Sequence, residues 1–353
     1  MDGPAATDMH YLVTGHTGFK GAWLALMLTE RGHTVSGLAL EPAAGSLYER
    51  ARLSELLLRD LRVDIRDGGA TERAIAAVEP DVVLHLAAQP LVRESYRDPR
   101  YTYETNTLGT LSVLQAVEHT PSVKAQLIIT TDKVYRNVNQ IWGYRESDPL
   151  GGVDPYSASK AAADLITQSW MAGSGCRVPT AIARAGNVIG GGDVCEDRLM
   201  VDLVAAFSTG QAVRLRYPEA VRPWQHVLDC LNGYLDLTDA LLSGEGSGEA
   251  FNFGPETRSF VSVGAVTTAV ASLWGTDSEV EVDGGTHVHE ATLLSLDSRK
   301  AELALGWRNR LQFHDALAWT VAWEKQVRAG GDARAVSVAQ ISEFIRLAKG
   351  RQQ

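Results

Sequence analysis

Short apolar runs alternate with stretches of helical periodicity through the first half of the chain. The apolar runs predict buried strands at residues 10–14, 33–40, 62–65, 82–87, 127–131 and 180–185. Stretches with apolar residues three or four positions apart predict helices at 22–31, 70–79, 101–118 and 156–172. Strands and helices that alternate at this spacing predict a parallel, doubly wound α/β sheet.

The regular alternation loosens after about residue 186. The patterns there predict two short strands at 214–216 and 279–282, and helices at 198–209, 227–242, 261–274, 297–304, 313–328 and 337–349. We therefore expect three parts: a disordered tail over 1–9, a first domain over 10–186, and a smaller mixed lobe over 187–349. Some segments of that lobe are expected to return to the first domain.

Composition narrows the class of protein. The chain of 353 residues is 45% hydrophobic and 22% charged, as globular proteins are, and its net charge of −10 argues against a nucleic-acid partner. No apolar run reaches the ~18 residues of a membrane span, and the N-terminus does not resemble a signal peptide. The three cysteines lack metal-ligand spacing. We expect reduced thiols, a cytoplasmic protein, no metal and no membrane partner.

A glycine-rich turn joins the first strand to the first helix. Gly15 suits the tight turn, Gly18 allows close approach to a pyrophosphate, and Gly21 lets the helix pack on the strand. A packing turn is the alternative, but the strand–turn–helix context favours a dinucleotide. Glu41, after the second strand, is suited to ribose hydroxyls, and residues 36–46 contain no Arg or Lys. The sequence therefore predicts NAD rather than NADP.

Further residues complete the predicted cofactor site. Asp64 and Ile65 follow the third strand and are expected near the adenine. Thr17 and Phe19 lie within the glycine turn, and Ala87 ends the fourth strand. The predicted fold is thus a Rossmann-type doubly wound parallel sheet with a smaller mixed α/β C-terminal lobe for the substrate.

Two sets of acid/base residues lie close together in sequence. Thr131, Asp132 and Lys133 follow the strand at 127–131, at the edge where open α/β sheets bind ligands. Tyr156 and Lys160 are four residues apart on a predicted helix and share one face. A nearby ammonium lowers the pKa of a phenol, and a phenolate is a general base for an alcohol.

The glycine turn together with Tyr156-x-x-x-Lys160 resembles the extended short-chain dehydrogenase/reductases, which act mostly on nucleotide sugars. Within this family, the sequence motifs from about residue 10 to 349 are similar to those of the CDP-glucose 4,6-dehydratases. The segments that carry this resemblance are 14–21, 85–92, 130–135, 142–146, 184–193, 222–227 and 252–255. The triplet Thr131-Asp-Lys133 is the most diagnostic, because dTDP-glucose dehydratases have Asp-Glu at its last two positions.

The resemblance implies a reaction in three steps: hydride transfer from C4 to NAD, loss of water across C5 and C6, and hydride return to C6. Tyr156 would be the base for the 4-hydroxyl, with Lys160 lowering its pKa and holding the ribose. The Thr131 hydroxyl would bind O4. Lys133 would be the base at C5, with a pKa lowered by burial or by Lys160, and Asp132 would carry the proton for O6.

The other end of such a substrate needs groups that bind a diphosphate. Arg222 is the first choice because a guanidinium binds phosphate bidentately, although a surface ion pair is the alternative. Asn187 and Arg198 are further candidates, and Arg93 and Tyr96 are expected to line the pocket.

Other partners and other functions stay open. In the resembling family, helices corresponding to 101–118 and 156–172 pair in a dimer, which implies a homodimer here. The preferred substrate is a CDP-hexose. The alternatives are an epimerase, a dehydratase of a dTDP-, UDP- or GDP-hexose, and a non-catalytic NAD-binding regulatory protein of the same fold.

Overall fold

The computed structural model of the chain describes residues 8–173, 176–256, 260–283 and 294–350. Residues 1–7 of the predicted tail lie outside these ranges. Among the helices described, none has both the length and the apolar character needed to cross a lipid bilayer.

A parallel sheet of seven strands forms the centre of the described structure. Its strands are β1 (His10–Thr14), β2 (Thr34–Ala39), β3 (Arg59–Arg62), β4 (Val82–His85), β5 (Ala125–Ile129), β6 (Thr180–Ala185) and β11 (Ala250–Phe253), in the order β11-β6-β5-β4-β1-β2-β3. All neighbouring strands are parallel. The chain reverses its direction of winding between β1 and β4, so a ligand crevice is expected at the carboxyl ends of these strands.

Helices cover both faces of the sheet. They are α1 (Phe19–Glu30), α2 (Leu47–Arg50), α3 (Gly68–Val78), α4 (Val92–Arg97), α5 (Pro99–Tyr103), α6 (Gly109–Glu118), α7 (Pro155–Ala172), α8 (Leu199–Thr209), α9 (Val227–Leu242), α10 (Val263–Trp274), α11 (Arg299–Leu305), α12 (Phe313–Arg328) and α13 (Ala333–Gly350). Successive residues of β1 point to opposite faces. Val13 packs in the core with α1, α9, α12 and α13, whereas Leu12 packs in the core with α3 and α6.

Smaller strands build the lobe that follows β6. They are β7 (Val188–Ile189), β8 (Val213–Leu215), β9 (Val221–Pro223), β10 (Gln225–His226), β12 (Phe260–Ser262) and β13 (Val280–Val282). These strands pair as β7 with β10, β8 with β13, and β9 with β12. From the same half of the chain, β11 joins the main sheet and α9 packs against β5 and β6. The division at residue 186 remains our proposal for the two domains.

The fold class is confirmed, and most elements lie where the sequence predicts them. Two local predictions were wrong. The third strand is β3, three residues before the predicted 62–65, because this edge strand is half-exposed and carries polar residues rather than an apolar run. The predicted helix 101–118 is interrupted by a π-helical segment, Glu104–Leu108, between α5 and α6.

Candidate functional site

The glycine turn lies at the reversal point of the sheet. Gly15 has φ of +75°, and a Cβ there would lie 2.8 Å from the backbone nitrogen of Ala87 at the end of β4. A Cβ on Gly21 would overlap the Gly15 carbonyl. Gly18 is the N-cap of α1, which has neither a side-chain cap nor an acidic residue in its first turn. The N–H groups of this turn therefore remain suited to a pyrophosphate.

At the adenosine end of the predicted cofactor site, Glu41 contacts a cation from another strand. Glu41 is exposed, and its Oε2 accepts a bond from Nε of Arg62 on β3 at 3.2 Å. Residues 36–46 have no cation, but the neighbouring strand supplies one. The Thr17 hydroxyl donates to the Leu40 carbonyl at 3.1 Å. Ile65 is buried against the glycine at the start of α6.

Two other predicted cofactor residues lie at the edges of this crevice. Asp64 accepts bonds from Arg66, which hold the pKa of its carboxyl below the usual range. Phe19, the first residue of α1, is half-buried and packs against the main core close to Gly190.

One face of α7 meets the carboxyl end of β5. The Lys160 ammonium donates to the Ile129 carbonyl at 2.9 Å. Burial, and then the charge of Lys20, lower the pKa of Lys160 to about 8. Burial raises the pKa of Tyr156, and Lys133 is the cation that most opposes this rise. The expected lowering of the Tyr156 pKa by Lys160 is not among the causes found, since the Lys160 ammonium donates to the strand backbone.

The other acid/base set forms a single helical turn, Asp132–Val134. Thr131 caps this turn, and its hydroxyl donates to Oδ1 of Asp132 at 2.9 Å. The Lys133 ammonium lies 3.7 Å from the same oxygen. This carboxylate raises the pKa of Lys133 more than burial lowers it. The predicted low pKa of Lys133 was therefore wrong for this state of the site, because the nearest charge is negative.

Asp132 is almost fully buried, and its second oxygen lies against Gly186. A Cβ at Gly186 would lie 3.0 Å from Oδ2 of Asp132. Gly186 directly follows β6, whose end is next to the end of β5 in the sheet. Sequence reasoning missed this residue. The signal available was its position after a predicted strand, at the same edge as Asp132.

Two of the predicted substrate residues reach the acid/base groups. Arg222, on β9, lowers the pKa of Lys133 through its charge. Arg198 precedes α8, bonds to Asp193 at 2.7 Å, and lowers the pKa of Tyr156. The structure therefore brings both guanidinium groups within electrostatic reach of the predicted catalytic side chains.

The remaining three candidates have partly exposed side chains. Arg93, on α4, bonds to Asp197 of the smaller lobe at 2.7 Å. Tyr96, on the same helix, is 48% exposed. Asn187 lies half-buried between β6 and β7. Arg93 thus joins α4 to the segment before α8, while Tyr96 and Asn187 have side chains within reach of solvent.

Comparison with known proteins relates this geometry to known chemistry. Residues 12–320 match the family described as GDP-mannose 4,6 dehydratase. The chain is 42% identical to the CDP-glucose 4,6-dehydratase of Salmonella typhimurium, over 94% of this chain and 95% of that protein. It is 30% identical to the dTDP-glucose 4,6-dehydratase of Streptomyces griseus, over 91% and 95% of the two chains.

Solved structures show the same relationship. A dTDP-glucose 4,6-dehydratase from Streptomyces venezuelae, solved with NAD bound, has a TM-score of 0.79 and 28% identity, covering 92% of this chain and 99% of that one. A UDP-glucose 4-epimerase from Thermotoga maritima also has a TM-score of 0.79, with 23% identity, covering 91% of this chain and 100% of that one. At that lower identity the likeness concerns the fold alone.

Proposed function

Since the chain belongs to the GDP-mannose 4,6 dehydratase family, we propose that it is an NAD-dependent dehydratase that converts CDP-D-glucose to CDP-4-keto-6-deoxyglucose and water. The observation that carries this proposal is the convergence of both acid/base sets at the carboxyl end of β5, where Thr131 donates to Asp132 and also lowers the pKa of Tyr156. The similarity to a CDP-glucose enzyme over nearly the full chain supports CDP as the nucleotide.

The cofactor fits the glycine turn at the reversal point of the sheet. When bound there, NAD accepts the hydride from C4 and returns it to C6. Gly15 and Gly18 leave room for the pyrophosphate beside the N-terminus of α1. Lys160 uses one of its three N–H donors on the Ile129 carbonyl, which leaves two for the ribose hydroxyls.

The first step removes the proton of the 4-hydroxyl. We assign this role to Tyr156, with the Thr131 hydroxyl stabilising charge on O4. Burial raises the pKa of this phenol, whereas the charges of Lys133 and Arg198 lower it. These two cations, rather than Lys160, therefore favour the phenolate in the structure.

The elimination needs a neutral amine and a protonated acid in one place. Lys133 and Asp132 are an ion pair in the structure, with Nζ 3.7 Å from Oδ1. Moving one proton from the ammonium to the carboxylate produces both required forms without changing the total charge. A bound hexose removes water from the pair, and desolvation disfavours the charged forms relative to the neutral ones.

Lys133 and Asp132 together then carry out both proton transfers of the elimination. The Lys133 amine takes the C5 proton, and the electron pair of that bond forms the C5–C6 double bond. The C6–O6 bond breaks as O6 takes the Asp132 proton and leaves as water. The ammonium and carboxylate are thereby restored, and Lys133 protonates C5 when the hydride returns to C6.

One proton must still return, because the product keeps its 4-ketone and Tyr156 keeps the proton of O4. The Thr131 hydroxyl bonds to Asp132 at 2.9 Å and lowers the pKa of Tyr156, so it is close to both sets. This hydroxyl therefore offers a path from the phenol to the carboxylate that lost its proton to water.

We assign the diphosphate of the substrate to Arg222 and Arg198, the two guanidinium groups that reach the catalytic side chains. Asn187, Arg93 and Tyr96 are proposed to line the rest of the substrate cleft. The partial exposure of all three side chains is compatible with that role.

The test is incubation of the purified protein with CDP-, dTDP-, UDP- and GDP-hexoses, followed by product mass and the absorbance of reduced nicotinamide. Loss of one water without net NADH supports the proposal, and the preferred base identifies the nucleotide. An unchanged mass with inverted stereochemistry would indicate an epimerase. No turnover with any sugar nucleotide would refute both enzymes and favour a regulatory protein.

We further propose a homodimer in which α5, α6 and α7 of two copies pair. Apolar side chains on these helices support it: Tyr103 is 40% exposed, Leu165 is 53% exposed, and Leu108, in the π-helical segment between α5 and α6, is 55% exposed. Leu165→Glu should shift the mass measured by light scattering from dimer to monomer. An unchanged mass in that variant would place the interface elsewhere.

A cytoplasmic location is also proposed. Cys176, Cys195 and Cys230 are free thiols in the structure, as expected in a reducing compartment. Cell fractionation would test this location directly, and recovery of the protein outside the cytoplasmic fraction would refute it.

A further inference from the structure

A buried ion pair lies directly behind the acid/base turn. Asp164, on α7, and Arg184, on β6, are both at most 1% exposed. Two bonds join them, from Nε of Arg184 to Oδ2 at 2.8 Å and from a terminal nitrogen to Oδ1 at 2.7 Å. Replacing a buried ion pair with apolar residues is often neutral or stabilising, so stability alone does not explain this pair.

This pair holds both ends of the acid/base turn. The Thr130 hydroxyl donates to Oδ2 of Asp164 at 3.0 Å, and Arg184 donates to the Tyr135 hydroxyl at 2.9 Å. Thr130 immediately precedes residues 131–134, and Tyr135 immediately follows them. The segment that carries Asp132 and Lys133 is therefore fastened on both sides to one rigid group.

The Tyr135 anchor is itself fixed. Its hydroxyl donates to Oδ1 of Asn252 on β11 at 2.6 Å, and its ring stacks on Tyr144 with centroids 5.2 Å apart. The Arg184 guanidinium lies over the same ring, 5.1 Å from its centroid. Tyr135 and Asn252 are both at most 1% exposed, so water does not compete for these bonds.

The face of α7 explains how the contacts stay in register. Tyr156, Lys160 and Asp164 are spaced by four residues and share one side of the helix. Lys160 bonds to the Ile129 carbonyl and Asp164 accepts from Thr130, while Thr131 lowers the pKa of Tyr156. One helix face thus reaches three consecutive residues at the end of β5.

We propose that the Asp164–Arg184 pair is a positioning pair for the elimination step, which holds Asp132 and Lys133 at C5 and O6 of the sugar. The proposal rests on the proposed dehydratase function. We call the Thr130–Asp164 and Arg184–Tyr135 hydrogen bonds the tethers. Tyr156 and Lys160 lie on α7 itself and keep their place without the tethers, whereas the position of the turn at 131–134 depends on these two bonds. Loosening the tethers should therefore slow water loss more than hydride transfer from C4.

The direct test cuts one tether at a time and leaves the ion pair intact. Thr130→Val removes one hydroxyl with little change of shape, and Tyr135→Phe removes the other. Single-turnover measurements would follow the rise of reduced nicotinamide, its decay, and deuterium entry at C5. We expect elimination to slow on the order of 10- to 100-fold, because small misplacements of catalytic groups have effects of that size. The rise should slow much less than elimination, because Tyr156 and Lys160 keep their place on α7 and only Thr131 of the first step lies in the turn.

Two further variants separate positioning from a general loss of stability. Thr130→Ser keeps the hydroxyl and should restore elimination. Thr167→Val removes another buried hydroxyl of α7, one that bonds only within the helix at 2.7 Å, and should leave both steps unchanged. If both steps slow equally in the tether variants, or if Thr130→Ser does not restore elimination, the positioning role is refuted.

A readout without substrate keeps the proposal separate from the proposed function. Amide hydrogen exchange of the peptide containing residues 131–135 should accelerate in Thr130→Val and Tyr135→Phe, but not in Thr167→Val. Absence of turnover in the wild type would overturn the dehydratase function. Unchanged exchange in both tether variants would overturn the positioning pair, whatever the wild-type activity is.

Discussion

The charge of Asp132 should control the pKa of its neighbour Lys133. Asp132→Asn keeps the shape of the side chain and removes its charge. Asp132 is the largest cause of the raised pKa of Lys133, while burial and the charge of Arg222 act in the opposite direction. Without the carboxylate these lowering effects remain, so the pKa of Lys133 should fall in the variant.

The size of the fall follows from the distance. Two unit charges 3.7 Å apart interact by roughly 4 kcal/mol at an effective dielectric constant of about 20. The Lys133 side chain is 33% exposed, so solvent screens this interaction to about 1 kcal/mol. That energy corresponds to a decrease of about 0.7 pKa unit.

Deuterium exchange at C5 measures this pKa directly. In Asp132→Asn, water loss is blocked, and CDP-glucose can be oxidised at C4, exchanged at C5 and reduced again. Only the neutral amine acts as base, so exchange rises with pH until Lys133 is deprotonated. The rise should occur about 0.7 pH unit lower than in the wild type, with roughly fivefold faster exchange per oxidised sugar at pH values below it.

A matched control is Asp154→Asn. Asp154 also raises the pKa of Lys133, but it ranks last among the causes, and Asn retains its capping role at the start of α7. Its profile should move much less than that of Asp132→Asn. A profile for Asp132→Asn at the wild-type pH, or at higher pH, would refute the coupling.

Four more outcomes are expected. Tyr156→Phe should slow the appearance of reduced nicotinamide by about 10²- to 10⁴-fold, and a fully active variant would exclude it as the base. Lys133→Ala should still form reduced nicotinamide but neither exchange C5 nor lose water; normal dehydration would contradict its role. Lys160→Met should remove a pH dependence of stability. Burial lowers the lysine pKa from 10.5 to about 8, so between these pH values the unfolded chain binds more protons than the folded one. As the pH rises from 8 to 10.5, the free energy of unfolding of the wild type should therefore increase by about 3 kcal/mol relative to the variant, measured by denaturation. Gly21→Ala should weaken NAD binding in calorimetry because its Cβ overlaps the Gly15 carbonyl, and unchanged affinity would contradict that packing.

The strands at the centre of the sheet were predicted well because burial on both faces gives them continuous apolar runs. Every residue of β4, β5 and β6 is buried. The edge strand β3 was misplaced because its two end residues are exposed and its two middle residues are only half-buried. The π-helical segment within the predicted helix 101–118 has no comparable apolar signature, so periodicity does not reveal it.

In the candidate site, too, some features could be predicted from local sequence and others could not. The glycine turn, the Tyr156–Lys160 spacing and the Thr131–Lys133 triplet are short local patterns, and each could be predicted. The pKa directions of Lys133 and Tyr156 could not, because each depends on which charge lies within a few ångströms. The largest charge effects are those of Asp132 on Lys133 and of Lys133 on Tyr156, whereas Lys160 donates to the backbone.

The sequence by itself determined the alternating α/β architecture, and it predicted the dinucleotide turn and the acid/base groups. Local patterns suffice for these, because strand burial, turn conformation and spacing on one helix face depend on neighbouring residues. Only the tertiary structure decided how those groups are held. Gly186 makes room for Asp132, and Arg184 joins Asp164 behind the turn, across 20 residues or more of sequence. Such contacts arise from chain packing, and no local pattern encodes them.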